Sequence, residues 1–388
     1  MAASVASLTE ATCFEEDRRR PPRTGAHPQA IPRFTIRLSA VRRAAAEFKS
    51  AFPDTAIFYA LKANSHPDVL RMLANLGVGF EAASRGEIAM LHDVGIHPGT
   101  AIFGTAVKAR ADVRAAYALG IDRFAADARE ELEMLAEEAP GTRVFIRAKV
   151  DDSSSVFQMS GKFGAQPESG AALLLYARQL GLQPWGLSFS IGSQAGARDA
   201  WARGVDSLAP ILTALLAEGL RVDTVNIGGG FPVAYDGQPD LCLYGVGRLT
   251  RTAAARLPYP VQLVAEPGRR LVATAMSLTA QVLRRIERPD GPWLFLDCGV
   301  YNALFEALSY QGRTRYPVRA EGQHDRHQVS FVLAGPTGDG PDIVARDVLL
   351  PADLAEGDHL IFEKVGAYTT ALASTFNGIP VPPVYVED

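Results

Sequence analysis

From about residue 55 to residue 270, short apolar runs alternate with amphipathic helical patterns. The runs are AIFYALK (56–62), GVGFEAAS (77–84), AIFGTA (101–106), RFAAD (123–127), RVFIRAKV (143–150), WGLSFSIGS (185–193), DTVNIGGG (223–230) and QLVAEPG (262–268). Each has the length of a buried strand. Between them, segments such as PDVLRMLANLG, SRGEIAMLHDVG, ADVRAAYALG and REELEMLAEEA repeat apolar residues at three- and four-residue spacing, which predicts helices. Pro67 suits a first helical turn, and Gly77, Gly95 and Gly120 suit helix stops. Strand and helix alternating eight times predict an α/β fold, a (β/α)8 barrel of the TIM type, with its chemistry at the C-terminal strand ends. A doubly wound open sheet shares the alternation and is the alternative.

After residue 271 the pattern turns to strand-like alternation in SLTAQVLRRIE, PWLFLDCG, HQVSFVLAG, DIVARDVLLP, DHLIFEKVGA and PVYV, a second and mostly β domain. The polar segment 319–328 reads as an exposed loop. The expected organisation is a flexible lead-in over 1–33 that partly joins the β domain, a barrel over 34–270, and a β-sandwich or Greek-key-like domain over 271–388.

Composition narrows the function. The chain has 388 residues, 47% hydrophobic and 21% charged, with a formal net charge of −4. That charge offers no electrostatic footprint for nucleic acid or for an anionic membrane. Small molecules and other protein subunits are the expected partners. Cys13, Cys242 and Cys298 form neither a disulfide framework nor a zinc pattern, so no metal is expected and a reducing cytoplasm fits. The charged, proline-rich N-terminus does not read as a signal peptide, and no run of eighteen apolar residues suggests a membrane span.

Polar residues at the ends of the runs carry the candidate chemistry: Lys62, Glu81, Arg147, Ser190, Ser193, Gly228 to Gly230, Glu266 and Arg269. A lysine ending an apolar strand loses solvation, which lowers its pKa and frees its amine to capture a carbonyl. Alternatively, Lys62 snorkels at the barrel rim. Three consecutive glycines after the seventh run suit phosphate binding by backbone N–H groups, or simply a turn. Arg269 could reach the same phosphate and Glu266 could hold a protonated ring nitrogen, or the two could form a rim salt bridge. A phosphate, an aldehyde and a basic ring nitrogen together describe pyridoxal 5′-phosphate.

These motifs also carry a resemblance. FYALKAN, GFEAASRGEI, KFG, NIGGGFP, AEPGR, DCGVYNALFEALSY, GPTGDGPD and GAYTTALASTFNG resemble, in order, those of the fold-type III pyridoxal-phosphate decarboxylases acting on ornithine, diaminopimelate and arginine, and most of all the ornithine branch. The resemblance spans residues from about 34 to 380. It implies an alanine racemase-like barrel in which Lys62 forms the Schiff base and Glu266 keeps the pyridine nitrogen protonated. It also implies that Ser193, Gly228, Gly229, Gly230, Arg269 and Tyr368 hold the phosphate, and that Glu81, Glu87 and Arg147 support the lysine and cofactor. Tyr310, residue 311 and Phe376 would meet the substrate. A homodimer with shared active sites is implied, in which the loop bearing Asp339 completes the neighbour's site and Lys162 and Asp342 bridge the interface.

Three departures qualify the expectation. Ser190 stands where the family has a histidine that stacks on the cofactor. Gln311 stands where the ornithine enzymes have the aspartate that pairs with the distal ammonium, while Arg313 and Arg315 nearby either receive an anion or face solvent. Gly338 stands where the family has the cysteine that returns a proton to Cα, and Cys298 reads as a core cysteine rather than its replacement. The expected activity is therefore decarboxylation of an amino acid with a neutral, modified or acidic distal group, with water, Tyr301 or another group as proton donor. Decarboxylative transamination, racemisation and a non-catalytic regulatory role are the alternatives.

Overall fold

The eight apolar runs become eight parallel strands that close on themselves. In a computed structural model describing residues 31–388 apart from 237, 239, 310–313 and 324–325, the barrel strands are Ala56–Ala60, Gly79–Ala82, Ile102–Phe103, Arg123–Ala126, Arg143–Ala148, Gln183–Phe189, Thr224–Asn226 and Gln262–Ala265. Closure is made where Val264 pairs with Ala56 and Ala265 with Ile57. The calls at 1–30 and at Tyr310, Gln311 and Arg313 lie outside the described residues.

Strand alternation sends two sets of side chains in opposite directions. Ile102, Ala125, Phe145 and Val264 form a small buried cluster packed by Ala56, Phe58 and Trp185. Tyr59, Phe80, Phe103, Phe124, Val144 and Ile146 belong to the larger core shared with the helices. A barrel filled in this way has no pore, and its functional space must lie above the packed layer, at the strand ends. Local chemistry sets the turns there. Ser84 caps helix Arg85–Asp93 by accepting from the Glu87 N–H (3.2 Å), while Glu87 Oε2 accepts from the Ala83 N–H (2.6 Å). This capping-box-like exchange fixes the chain just beyond Glu81.

The β region is an eight-stranded sheet built on the long strand Met276–Arg288. The first half of that strand pairs with Arg33–Arg37 and His359–Phe362, and its second half pairs with Gly291–Leu296. A register shift between Val282 and Arg284 separates the halves. Strand Arg33–Arg37 also runs parallel to Val384–Glu387. Residues 34–37, expected within the barrel region, thus lie in this sheet, and helix Leu38–Ala51 leads into the barrel.

Barrel and sheet meet beside Lys62. The buried Asn64 donates through Nδ2 to the Gly366 carbonyl (3.0 Å), and the Tyr368 N–H donates to the Ala63 carbonyl (2.9 Å). A Cβ on Gly366 would lie 1.8 Å from the Val272 carbonyl oxygen, so glycine is required for this approach. Tyr368 is held at φ 57, a left-handed conformation that side-chain-bearing residues seldom adopt.

Candidate active site

The first strand ends at Ala60 and passes into a single 3-10 turn, Leu61–Ala63, which carries Lys62. Lys62 Nζ lies 3.2 Å from Glu81 Oε2 on the adjacent strand. Glu81 is buried, and a Cβ on Gly104 at the next strand end would fall 2.5 Å from its Oε1. The bare glycine makes room for the carboxylate. Desolvation was expected to lower the Lys62 pKa, and the structure reverses that. The charge of Glu81, helped by Tyr368 and Glu266, outweighs burial and raises it. Lys62 is thus held towards its ammonium form by the paired Glu81 carboxylate.

Glu266 follows the eighth strand. Its Oε1 accepts from Asn226 Nδ2 (2.6 Å), and Asn226 Oδ1 in turn accepts from the Gly228 N–H (2.9 Å). Burial first, and then the charge of Glu81, push the Glu266 pKa up to about 7. A carboxyl in this condition favours a neighbour that carries a positive charge or shares a proton.

Gly228, Gly229 and Gly230 thread between two strand ends. A Cβ on each would lie 2.4 Å from the Phe189 oxygen, 2.6 Å from the Glu266 oxygen and 2.8 Å from the Gly192 oxygen, respectively. The run is therefore required by backbone packing, and it also lines the cleft. Trp201 holds it from behind by donating from Nε1 to the Gly229 carbonyl (3.1 Å).

Arg269 is buried, and its partner is Glu306 rather than Glu266. Nη1 and Nη2 donate to the two Glu306 oxygens at 2.6 and 2.7 Å, and Nη1 also lies 2.9 Å from the Tyr235 hydroxyl. Its guanidinium lies over the Tyr368 ring at 4.8 Å. Nε is buried without a hydrogen-bond partner. A buried donor of this kind is costly unless a ligand completes it.

Lys62, Glu81, Arg147, Ser190, Ser193, the three glycines, Glu266, Arg269 and Tyr368 all line one cleft. Arg147 lies over Phe163 at 5.4 Å. Ser190 Oγ accepts from the Gly192 N–H (3.3 Å) and lies 3.9 Å from Met159 Sδ. Gly338, Asp339, Tyr301 and Phe376 are not among the residues that line it. Three of them form a separate cluster: the Tyr301 hydroxyl donates to Asp339 Oδ2, and its ring meets Phe376 at 4.7 Å between centroids. That hydrogen bond raises the Tyr301 pKa to about 12. Gly338 is exposed, with nothing within 4 Å of a Cβ built on it.

Asp342, Lys162 and Arg315 have these surroundings within their own chain. Asp342 is buried and accepts within its own chain from the Val300 N–H (2.9 Å), the Thr337 N–H (3.1 Å) and the Thr337 hydroxyl (2.7 Å). Lys162 is exposed, with Nζ 4.9 Å from the centre of the Phe163 ring. Asp342 thus organises its own loop. Arg315 is exposed and uses Nη2 on the Arg346 carbonyl. Cys298 is fully buried, as a core cysteine should be. Asn226, Glu306, Gly104 and Met159 received no role from the sequence. Asn226 opens the glycine motif and Glu306 lies within DCGVYNALFEALSY, so position was their only signal.

Comparison with known proteins places this geometry in context. Residues 38–273 match the model of the pyridoxal-dependent decarboxylase family, pyridoxal binding domain. The chain is 31% identical over 334 residues to the lysine/ornithine decarboxylase of Selenomonas ruminantium, covering 86% of this chain and 84% of that protein. It is 32% identical over 374 residues to antizyme inhibitor 2 of Xenopus laevis, covering 91% and 80%. A crystal structure of lysine/ornithine decarboxylase from Vibrio vulnificus, complexed with cadaverine, superposes with a TM-score of 0.85 at 30% identity, covering 92% of this chain and 94% of that one.

Proposed function

The chain belongs to the pyridoxal-dependent decarboxylases, and from that premise we propose that it decarboxylates an amino acid whose distal group is neutral, modified or acidic. The observation that carries the cofactor assignment is one cleft lined by Lys62, a Glu266 carboxyl with a raised pKa and an unpartnered buried Arg269 Nε. Pyridoxal 5′-phosphate fits all three, supplying an aldehyde for an amine to capture and a ring that accepts the electron pair left when carbon dioxide departs.

Each residue has a distinct task in this reading. Glu81 would pair with the Lys62 amine and position it. Glu266, oriented by Asn226, would keep a proton on the ring nitrogen. Ser193, Gly228 to Gly230, Arg269 through Nε, and Tyr368 would hold the phosphate. Glu306 fixes the Arg269 fork, so that the unpartnered Nε–H has a defined direction.

The substrate assignment rests on Gln311. An amide in place of a carboxylate supplies hydrogen bonds but little charge to attract a distal ammonium. Tyr310 and Phe376 are proposed as the other substrate-contacting residues. The cluster of Tyr301, Asp339 and Phe376, lying apart from its own chain's cleft, suits a homodimer in which it completes the neighbour's site. There the Tyr301 hydroxyl, turned from Asp339 towards the substrate, would give its proton to the substrate Cα and regain one from solvent. Among the described residues no helix is long and apolar enough to cross a membrane, and a cytoplasmic enzyme is proposed.

A second reading draws on the similarity to antizyme inhibitor 2: a regulatory homologue without catalysis. Cofactor titration separates the two. A visible absorbance band that is lost in Lys62→Ala supports the enzyme, and its absence from the wild type refutes it. Carbon dioxide release followed together with product mass then distinguishes simple decarboxylation from decarboxylative transamination and racemisation.

A further inference from the structure

Where the histidine is replaced by Ser190, the adjoining cleft wall is formed by a methionine. Met159 Sδ lies 3.9 Å from Ser190 Oγ, and both side chains line the cleft that holds Lys62 and Glu266. Met159 is 40% exposed, an unusual state for a residue that ordinarily fills cores.

Its placement is fixed by the chain around it. The buried Asp152 accepts from the Met159 N–H (2.5 Å), the Ser160 N–H (2.8 Å) and the Ser160 hydroxyl (2.6 Å). The preceding strand Ser155–Phe157 pairs with Ser193–Ala195, tying this segment to the one that carries Ser193. Met159 and Ser190 are thus held side by side by a carboxylate anchor and a two-stranded ladder. A serine is too small to cover a heteroaromatic ring, whereas a long, polarizable thioether packs well against one.

We propose that Met159 is a cofactor-contacting residue, its thioether packing on the bound pyridoxal ring beside Ser190. The inference rests on the cofactor reading above and adds a residue to it. A thioether has no proton to exchange near neutral pH, so its contribution to affinity does not vary with pH, unlike that of an imidazole.

Oxidative footprinting tests the contact without relying on turnover. Met90 is exposed to 42% and serves as the internal control. The full-length protein is treated with dilute peroxide, with and without pyridoxal 5′-phosphate at matched oligomeric state, and methionine sulfoxide is mapped by mass spectrometry. Bound cofactor should slow oxidation of Met159 several-fold and leave Met90 unchanged. In parallel, Met159→Ala should weaken cofactor binding by roughly 2–10-fold, the range expected for a sulfur–aromatic contact, by the same factor at every pH, with Met159→Leu intermediate. A Lys62-dependent absorbance band combined with equal Met159 oxidation in both states would overturn this inference alone. Absence of the band would overturn the cofactor reading with it.

Discussion

Replacing Glu266 with glutamine should stabilise the unliganded protein while disabling the enzyme, and the structure sets the size of the first effect. Burial and the Glu81 charge raise the Glu266 carboxyl from the ordinary 4.5 to about 7. Between those values the folded chain keeps a proton that the unfolded chain has lost. Wild-type stability therefore falls as pH rises through that window and is level above it, and the full penalty is ~3 kcal/mol. Glutamine keeps an oxygen for Asn226 Nδ2 and carries no charge. The attraction between Glu266 and the Lys62 and Arg147 charges is already contained in that net rise. A net gain of ~1–3 kcal/mol above about pH 7, shrinking towards zero near pH 4.5, is expected. Urea unfolding of the apoprotein at both pH values measures it. With cofactor bound, the variant has no carboxylate to keep the ring nitrogen protonated, and turnover should fall by roughly 100-fold or more. An apoprotein that is destabilised by Glu266→Gln, or shifted equally at both pH values, would refute the electrostatic reading of this strand end.

Other predictions follow from the buried pair and the exposed loop. Glu306→Gln leaves the Arg269 guanidinium buried without its counter-charge and should destabilise the fold by ~3–5 kcal/mol in denaturant titration. An effect under about 1 kcal/mol would mean that the pair is not formed as described. Gly338→Cys should fold with stability changed by no more than ~0.5 kcal/mol, since open space surrounds the position. It should change the product ratio or stereochemistry if this loop governs proton return to Cα, and an unchanged product profile and rate would count against that role.

The barrel was legible because its buried strands read as unbroken apolar runs separated by periodic helices. Strand Arg33–Arg37 was harder to see. It is five residues long, runs directly into a helix, and its partners lie at 276–279 and 384–387. The lining of the cleft was legible residue by residue, but its electrostatics were not. Lys62 was expected to lose its proton because its desolvation can be inferred from one strand, whereas the Glu81 charge that opposes it comes from another. The same limitation hid the Arg269–Glu306 pair, whose members are 37 positions apart, and the approach of Met159 to Ser190. Motifs placed Tyr301, Asp339 and Phe376 in the site one at a time. That they cluster with one another, outside their own chain's cleft lining, is a tertiary fact.

The most direct test of the account is carbon dioxide release from a panel of amino acids matched in length and differing in distal group, compared by kcat/KM between the wild type and Gln311→Asp. The account predicts that the wild type prefers a neutral, modified or acidic distal group over ornithine and lysine, and that Gln311→Asp moves the preference towards the distal ammonium. A wild type that prefers ornithine or lysine, with a preference indifferent to Gln311→Asp, would contradict it.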